Sequence, residues 1–346
     1  MRRVHILGGG SLGSLFASHF AKAAVPTTLL LRPEAARLAG LNCTISVTAE
    51  DSDVVDTQML PCEPADGTVR QPFDILVVAV KAYDARSALE AVGTRVAESS
   101  TVILMCNGAL AVADDLTHIL GGASLLCATT THGAWSRGPR DLHHAGKGDT
   151  WIGALPSGGG IWHALSGDTE HGNRCELPLS SHAAGAQELF ASCGLGAVVE
   201  GPADTERRLW LKLAANAVLN PLTALWSCEN GEVLSRAEGR EAVQQVCEEV
   251  QAVCQHLAVS NAAIDLSVSD LTAFVHACAA ANARNFSSMC MDVRNGRRTE
   301  IEELNGWIER KSRAITVGQY TLATSKHWMG KNGELAEAVR KWHPVS

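Results

Sequence analysis

Lys212, Asn216 and Asn220 recur at every fourth position in a segment, residues 207–220, that otherwise consists mainly of Leu, Ala, Val and Trp. On a helix, this spacing places the three side chains on one face. The lysine could simply reach solvent while the asparagines hydrogen-bond nearby backbone, which is a structural role. The stripe could instead line a cleft, in which the lysine supplies a proton or positive charge and the amides orient a small polar substrate.

Other polar residues of the C-terminal half have the chemistry that a small hydroxy or keto acid requires. Asn230 and Gly231 are predicted to form a turn after the long helix, and Asn285, Ser288 and Asp292 are predicted to share a helical face, with Glu300 further along. Amides, hydroxyls and a lysine can bind a carboxylate and a carbonyl, whereas a carboxylate accepts from a hydroxyl. Each residue alone fits a capping or solvated role equally well, and only together do they favour a site.

Glycines near the N-terminus have the spacing of a dinucleotide-binding loop. Val4–Leu7 is predicted to be a buried strand that runs into Gly-Gly-Gly-Ser-Leu-Gly at 8–13, and residues 14–24 have helical apolar spacing. The glycines permit a tight turn and close approach of the backbone to a pyrophosphate, which the amides of the helix N-terminus would face. The predicted cofactor residues of this loop are Gly8, Gly9, Gly10, Ser11, Leu12 and Gly13.

The residue after the second predicted strand, 27–31, indicates which dinucleotide binds. Arg32 stands where an NAD-specific fold carries an acidic residue. A guanidinium cannot accept a hydrogen bond from a ribose hydroxyl but pairs well with a 2′-phosphate. Arg32 therefore favours NADPH, and the alternative is an exposed surface arginine.

Three more predicted strands, 73–80, 101–106 and 124–130, end in polar or glycine residues. These strand ends carry Lys81, then Asn107 with Gly108, then the segment 131–134. Ligands of open parallel sheets lie outside the carboxyl ends of the strands, so we expect these residues near cofactor or substrate. The pattern predicts an α/β fold with an N-terminal Rossmann-type parallel sheet domain.

The chain length of 346 residues predicts two domains. The first, 1–203, would end in a helix at 181–192 and a strand at 197–200, with a Gly- and Ser-rich surface insertion at 157–182. Residues 42–72 are predicted to form minor strands or an excursion, and 148–156 another strand. The second domain, 204–346, is predicted to be all-helical, with helices at 206–226, 236–257, 264–285, 299–317 and 321–342.

Composition excludes several classes of protein. A hydrophobic content of 46%, a charged content of 19% and a net charge of −8 describe a globular protein without a nucleic-acid groove. No export signal or membrane segment is recognisable, so we expect a cytoplasmic protein without a membrane partner. The eleven cysteines are scattered singly and the histidines lack ligand spacing, which predicts reduced thiols and no metal.

These blocks together resemble the ketopantoate reductases (2-dehydropantoate 2-reductases). The similarity covers the glycine loop with Arg32, Lys81, the CNGAL and ATTTHGA segments, LWLKLAANAVLNPLTALWSCENG and NFSSMCMDVRNGRRTEIEELNG, in family order across nearly the whole chain. Two features differ from the family pattern: the long segment 157–182, and residues 317–320, where members usually carry a proline and an asparagine.

The resemblance implies a monomer or homodimer that uses NADPH to reduce a small-molecule 2-keto acid, ketopantoate, to pantoate. It implies that Lys212 is the general acid and that Glu300 orients the lysine or a ligand hydroxyl. The implied NADPH contacts are Gly8 to Gly13, Arg32, Lys81, Asn107, Ala134 and Glu300. The implied ketopantoate contacts are Asn107, Lys212, Asn216, Asn220, Asn230, Asn285, Phe286, Ser287 and Ser288.

Three alternatives stay open. A reductase of another 2-keto acid would share the site and differ in the pocket around it. A hydroxyacid dehydrogenase working in the oxidative direction would share the two-domain plan. A non-catalytic NADPH-binding regulator would keep the glycine loop and Arg32 but would not need Lys212, Asn216, Asn220 and Glu300 together.

Overall fold

The structure, a computed structural model, describes residues 2–50, 53–67, 69, 71–116, 119–120, 122–155, 179–257, 265–318 and 330–343. The described chain divides into two compact units, with the boundary between Thr205 and Glu206. Most of the predicted insertion at 157–182 lies outside the described residues. Its last four residues belong to a helix instead, which begins at Leu179.

The N-terminal unit alternates strands and helices. Its strands are β1 Val4–Leu7, β2 Thr27–Leu31, β3 Asn42–Ala49, β4 Val55–Pro64, β5 Ile75–Val78, β6 Thr101–Leu104, β7 Ser124–Thr130, β8 Gly133–Gly138, β9 Asp141–Gly146, β10 Thr150–Ala154 and β11 Ala197–Val199. Its helices are α1 Ser11–Lys22, α2 Pro33–Ala39, α3 Ala82–Val92, α4 Ala109–Leu116 and α5 Leu179–Ser192.

The eleven strands form one sheet in the order β11-β10-β7-β6-β5-β1-β2-β4-β3-β9-β8. The central strands from β7 to β4 are parallel, with Leu7 of β1 opposite Leu30 of β2 and Val78 of β5. Strand β10 is antiparallel to β7, and two antiparallel pairs, β3 with β4 and β8 with β9, complete the other end. This arrangement confirms the predicted mostly parallel, Rossmann-type sheet.

Helix α1 is the centre of the N-terminal core. It contacts β1 and β2 as well as β3, β4, β8 and β9. Its residues Leu15, Phe16 and Phe20 are fully buried, and both phenylalanine rings contact Phe190 of α5. Burial of such large apolar side chains supplies most of the driving force for folding. It also fixes the helix, and therefore the loop before it, against the sheet.

Several predictions for this unit needed correction. Residues 42–49 and 55–64 form two long antiparallel strands, β3 and β4, instead of minor strands or an excursion, and helices α2 and α4 were not predicted. The segment 133–146 is a second hairpin, whose strand β9 joins β3 in parallel. Ala134 therefore lies within strand β8, paired with His144, instead of in a loop at a strand end.

The C-terminal unit is helical, as predicted. Its helices are α6 Pro202–Trp226, which begins before the boundary, α7 Asn230–Ser235, α8 Ala237–Leu257, α9 Val268–Ala281, α10 Ser288–Arg294, α11 Asn305–Gly318 and α12 Lys331–Trp342. No helix in the described ranges is both long and apolar enough to cross a membrane.

Local details of this unit differ from the predictions. Pro202 is the first residue of α6, a position at which a helix needs no N–H group. Asn230 starts a helix instead of a turn. The helix predicted from 299 begins at Asn305, and the one predicted at 321–342 is described only from Lys331. Of the unusual segment 317–320, residues 319 and 320 lie outside the described chain.

Candidate functional site

The glycines of the loop between β1 and α1 have different structural roles. Gly8 has φ +116°, and a Cβ there would lie 2.6 Å from the Ala79 carbonyl oxygen. A Cβ on Gly13 would lie 2.1 Å from the Gly8 oxygen. At Gly10 a Cβ would meet nothing within 4 Å. Gly8 and Gly13 are thus required by the packing of helix on strand, whereas Gly10 borders open space where a ligand can approach the backbone.

The N-terminus of α1 is suited to an anion. Its cap residue, Gly10, has no side chain to accept the first N–H groups, and the first turn carries no acidic residue. The loop is braced from within, because the Ser14 hydroxyl donates to the Gly9 carbonyl at 3.2 Å. Ser11 and Leu12 begin the helix beside this end. Unpaired N–H groups and the helix dipole together favour a phosphate at this position.

Predicted cofactor residues lie in the four segments that directly follow four neighbouring strands. Strands β6, β5, β1 and β2 are adjacent in that order, and they lead to Asn107, Lys81, the glycine loop and Arg32. All four strands run parallel, so these residues lie at one edge of the sheet. Lys81 occupies the N-cap position of α3, and Arg32 occupies that of α2. The exposed Arg32 Nη2 lies 2.5 Å from Asp84 Oδ2, a partner that the sequence did not indicate.

In the C-terminal unit, the polar stripe of Lys212, Asn216 and Asn220 follows the partly accessible side of α6, whose central part is otherwise buried. Within residues 205–224 of α6, every residue is buried except Arg207, Arg208, Lys212 and Asn216. Asn220, one turn further, is buried with 6% of its surface exposed. The amphipathic pattern in the sequence therefore identified a line of half-buried positions that starts at charged residues and ends at a buried amide.

The C-terminal end of α6 meets the segment 282–288. The hydroxyls of Thr223 and Ser287 are hydrogen-bonded at 2.6 Å, and Ser287 Oγ also accepts from Cys290 N at the start of α10. Asn230 donates its backbone N–H to the Asn285 carbonyl at 2.9 Å. Asn220, Asn230, Asn285 and Ser287, all predicted substrate residues, thus belong to one region of the fold.

Buried and exposed polar groups alternate in this region. Asn230 donates Nδ2 to the Asn282 carbonyl at 3.2 Å, while its buried Oδ1 has no hydrogen-bond partner in the described chain. Asn285 and Ser288 are exposed. The sequence predicted that Asn285, Ser288 and Asp292 share a helical face. Asn285 instead lies before α10, the helix that contains the other two residues.

Two residues of this region were missed by the sequence analysis. The Arg294 guanidinium lies 3.8 Å from the centre of the Phe286 ring and donates to the Ser227 carbonyl and hydroxyl at 3.1 Å. It therefore ties the end of α6 to the predicted substrate segment. Thr223, in a run of apolar residues, contacts Ser287 only because of tertiary packing.

Two acidic residues near α10 and α11 are almost completely buried. Glu300 is 4% exposed and Asp292 is 3% exposed. Arg297 donates Nε to Asp292 Oδ1 at 2.9 Å. Glu300 lies in the turn before α11 and not within a helix. A buried carboxylate requires partners or neutralisation, so these side chains are placed to organise the region and not to solubilise it.

Burial shifts the pKa of two groups on the helices α6 and α9. Burial raises the pKa of Glu206, at the start of the buried part of α6, to about 7. Burial also raises the pKa of the Cys278 thiol in α9, and the Lys212 charge opposes that rise. Across the described residues, no group of three or more His, Cys, Asp and Glu side chains could hold a metal ion.

Family models match both halves of the chain. Residues 4–157 match the model described as ketopantoate reductase PanE/ApbA, and residues 204–324 match the model of its C-terminal part. Curated relatives named 2-dehydropantoate 2-reductase include one from Vibrio cholerae, 30% identical over 311 residues, 88% of this chain and 89% of the relative. Another, from Escherichia coli O157:H7, is 28% identical over 312 residues, 90% and 89% of the two chains.

Solved structures share the fold. A PanE/ApbA family ketopantoate reductase from Ralstonia eutropha JMP134 aligns with a TM-score of 0.75 at 22% identity, over 99% of this chain and 98% of that chain. A D-mandelate dehydrogenase with NADH and anilino(oxo)acetate aligns with a TM-score of 0.79 at 18% identity and the same coverage. The matched models and the relatives, which extend over most of the sequence, show that this chain belongs to the ketopantoate reductase family.

Proposed function

We propose that the protein reduces 2-dehydropantoate (ketopantoate) to pantoate with NADPH, a step of pantothenate and coenzyme A biosynthesis. The observation that carries the proposal is the accessible line of α6, on which Lys212 and Asn216 lead to the buried Asn220. The relatives from Vibrio cholerae and Escherichia coli O157:H7 are named for this reaction, which supports the choice of substrate.

The N-terminal unit fits a dinucleotide. The open space at Gly10 and the uncapped N-terminus of α1 would receive the pyrophosphate. Arg32 would pair with the 2′-phosphate of NADPH, while Lys81 and Asn107 would contact the cofactor from the neighbouring strand ends. Ala134 and Glu300 complete the proposed cofactor contacts. When bound, the reduced nicotinamide supplies a hydride to the C2 ketone.

Lys212 would act as electrophile and then as acid. Its ammonium group would polarise the ketone oxygen, on which negative charge grows during the reaction, and then donate a proton to it. Glu300 would orient the lysine or a substrate hydroxyl.

Neutral donors would orient the rest of the substrate. The amides of Asn216, Asn220 and Asn230 and the segment 285–288 would hold its carboxylate and hydroxyl. The unpaired Oδ1 of Asn230 is available to accept from that hydroxyl. Asn107 is a further proposed substrate contact.

The test is to follow the absorbance of NADPH or NADH with the purified protein and a panel of 2-keto acids. We expect fast oxidation only with NADPH and ketopantoate. Lys212→Ala should lower turnover about a hundredfold or more, on the usual contribution of a positioned acid, with NADPH affinity unchanged. Lys341→Ala is the matched control, because Lys341 is an exposed lysine paired with Glu337 on α12. Near-normal turnover of Lys212→Ala would remove this lysine from the mechanism.

A second candidate is an NADH-dependent enzyme of another 2-hydroxy or 2-keto acid. It is favoured by the carboxylate of Asp84 beside Arg32 and by the likeness to a D-mandelate dehydrogenase. Preference for NADH and for an aromatic 2-keto acid such as phenylglyoxylate in the same panel would establish it.

A further inference from the structure

Helix α6 contains a proline in its interior, immediately after Asn220. Pro221 has no N–H group, so the Ala217 carbonyl one turn earlier loses its normal helical partner. Ala217 is completely buried, so water cannot replace that partner freely. A buried carbonyl without a hydrogen bond is costly. The gap lies between Asn216 and Asn220, the two amides of the stripe.

Asn305 supplies the missing hydrogen bond. Its Nδ2 donates to the Ala217 carbonyl oxygen at 2.8 Å. Asn305 is the first residue of α11 and is completely buried, and 88 positions separate it from Ala217. The side chain of another helix therefore takes the place of the backbone N–H that Pro221 lacks.

The orientation of the Asn305 amide is set by a chain of buried polar groups. The Glu249 carboxylate of α8 accepts from Asn332 Nδ2 at 2.8 Å, so Asn332 must present Oδ1 to Asn305. Asn305 Nδ2 donates to that oxygen at 2.9 Å. A flipped Asn305 would place its own oxygen against two other oxygens. The amide group therefore has one favourable orientation, with its donors facing Ala217 and Asn332.

Glu249 anchors the far end of this chain. It accepts from the backbone N–H groups of Lys331 and Asn332 at the start of α12. The carboxylate thus caps α12, where negative charge is favourable. The four residues Glu249, Asn332, Asn305 and Ala217 connect helices α8, α12, α11 and α6.

We infer that Asn305 is a positioning residue for the reaction, because it fixes α6 at the turn that carries Asn216 and Asn220. The same turn is supported from the other side by Thr223, whose hydroxyl donates to the Leu219 carbonyl at 2.6 Å and contacts Ser287. Loss of the Asn305 hydrogen bond changes the direction of α6 after Ala217 and with it the spacing between the amides and Ser287. The inference rests on the proposed reduction of a 2-keto acid.

The experiment is a double-mutant cycle of Asn305→Ala and Pro221→Ala. Pro221→Ala restores an N–H that can donate to the Ala217 carbonyl, so it should make Asn305 partly dispensable. Alone, Asn305→Ala should lower turnover of the 2-keto acid about tenfold, as expected for one unsatisfied buried carbonyl, with the Kd for NADPH unchanged. In the Pro221→Ala background, Asn305→Ala should lower turnover only about threefold or less.

Hydrogen exchange of the α6 amides provides a second readout that needs no activity. Asn305→Ala should reduce protection around Ala217, and Pro221→Ala should restore it. Asn295→Ala is the control, because the exposed Asn295 also donates an amide to a helix carbonyl, that of Met291, at the end of α10. If Asn305→Ala does not fold, Asn305→Ser replaces it in both backgrounds.

The outcomes separate the two proposals. If Asn305→Ala lowers turnover and exchange protection by the same factors in both backgrounds, the positioning role is overturned. Unchanged turnover per folded molecule in Asn305→Ala would also overturn it. An inactive wild-type protein would instead contradict the proposed function, and the exchange data would still decide whether Asn305 compensates for Pro221.

Discussion

The guanidinium of Arg32 is paired with the carboxylate of Asp84 across the edge of the sheet, with Nη2 2.5 Å from Oδ2. Arg32 follows β2, and Asp84 lies in the first turn of α3, which follows β5. Arg32 is 81% exposed at its side chain and Asp84 31%, so solvent screens the pair and a ligand can compete for the arginine. A 2′-phosphate would have to share Arg32 with this carboxylate.

Asp84 is therefore expected to weaken the preference for NADPH over NADH. Asp84→Asn removes the competing negative charge and should lower the KM for NADPH about two- to fivefold, the range of an exposed ion pair. The KM for NADH should change less. Arg32→Ala should have the opposite effect on NADPH. Steady-state kinetics with both cofactors tests this, and an unchanged ratio of the two KM values in Asp84→Asn would contradict it.

Two glycines of the loop should respond differently to alanine. Gly10→Ala places a methyl group in open space, so the protein should fold with nearly unchanged Tm but bind NADPH at least about tenfold more weakly. Gly13→Ala places its methyl group against the Gly8 carbonyl and should destabilise the unit by about 1–3 kcal/mol. Thermal unfolding and fluorescence titration with NADPH separate the effects. Normal NADPH affinity in Gly10→Ala would exclude close approach of the cofactor there.

Three neighbouring histidines of the N-terminal unit are held in neutral form. His132 Nε2 donates to the Leu195 carbonyl at 3.2 Å, which leaves Nδ1 to accept from Gly148 N at 3.3 Å and from His144 Nε2 at 3.1 Å. His19 donates Nδ1 to the Cys193 carbonyl. Burial, and then the neighbouring histidines, lower the pKa of His144 to about 4.

Acid should therefore destabilise the protein through buried histidines. Burial and the nearby Arg95 also lower the pKa of His5 to about 4. Below about pH 6.5 the unfolded chain takes up protons at these histidines, whereas the folded chain does not. Their contribution to the free energy of unfolding is therefore complete above about pH 6.5 and is lost as the pH falls towards 4.

The loss should be on the order of 2 kcal/mol for each of His5 and His144, or about 4 kcal/mol together. Urea unfolding at about pH 7.5 and about pH 5 measures it. A His5→Gln, His144→Gln variant should lose less stability between the two pH values than the wild type. Equal losses would show that other groups cause the acid sensitivity.

Glu206 should give the opposite pH dependence. It is completely buried, and the Trp210 indole, which favours the charged form, only partly offsets the cost of burial. Burial raises its pKa to about 7, so its neutral form is favoured in the folded state. The contribution of Glu206 to the free energy of unfolding is therefore complete below about pH 4.5 and is lost as the pH rises through 7.

Glu206→Gln keeps the shape without the charge. It should raise the free energy of unfolding at about pH 8 by on the order of 2 kcal/mol, with little difference at about pH 5. Urea unfolding at both pH values is the measurement. A variant that is no more stable than the wild type at the higher pH would show that the carboxylate is stabilised when charged.

Local sequence patterns determined a large part of the fold and of the candidate site. Helical periodicity predicted that Lys212, Asn216 and Asn220 share a face, and the structure places them along one line of α6. The spacing of Gly8, Gly10 and Gly13 predicted the strand, turn and helix at 4–22. These features depend on residues a few positions apart, so their spacing in the chain defines their geometry.

Only the tertiary structure decided which distant residues meet. The pairs Arg32 with Asp84, Thr223 with Ser287 and Ala217 with Asn305 are separated by 52, 64 and 88 positions. The addition of β9 to β3 is likewise a long-range pairing, which moved Ala134 from an expected loop into a strand. Such contacts result from the packing of whole helices and sheets around shared cores, and no local spacing in the sequence encodes them.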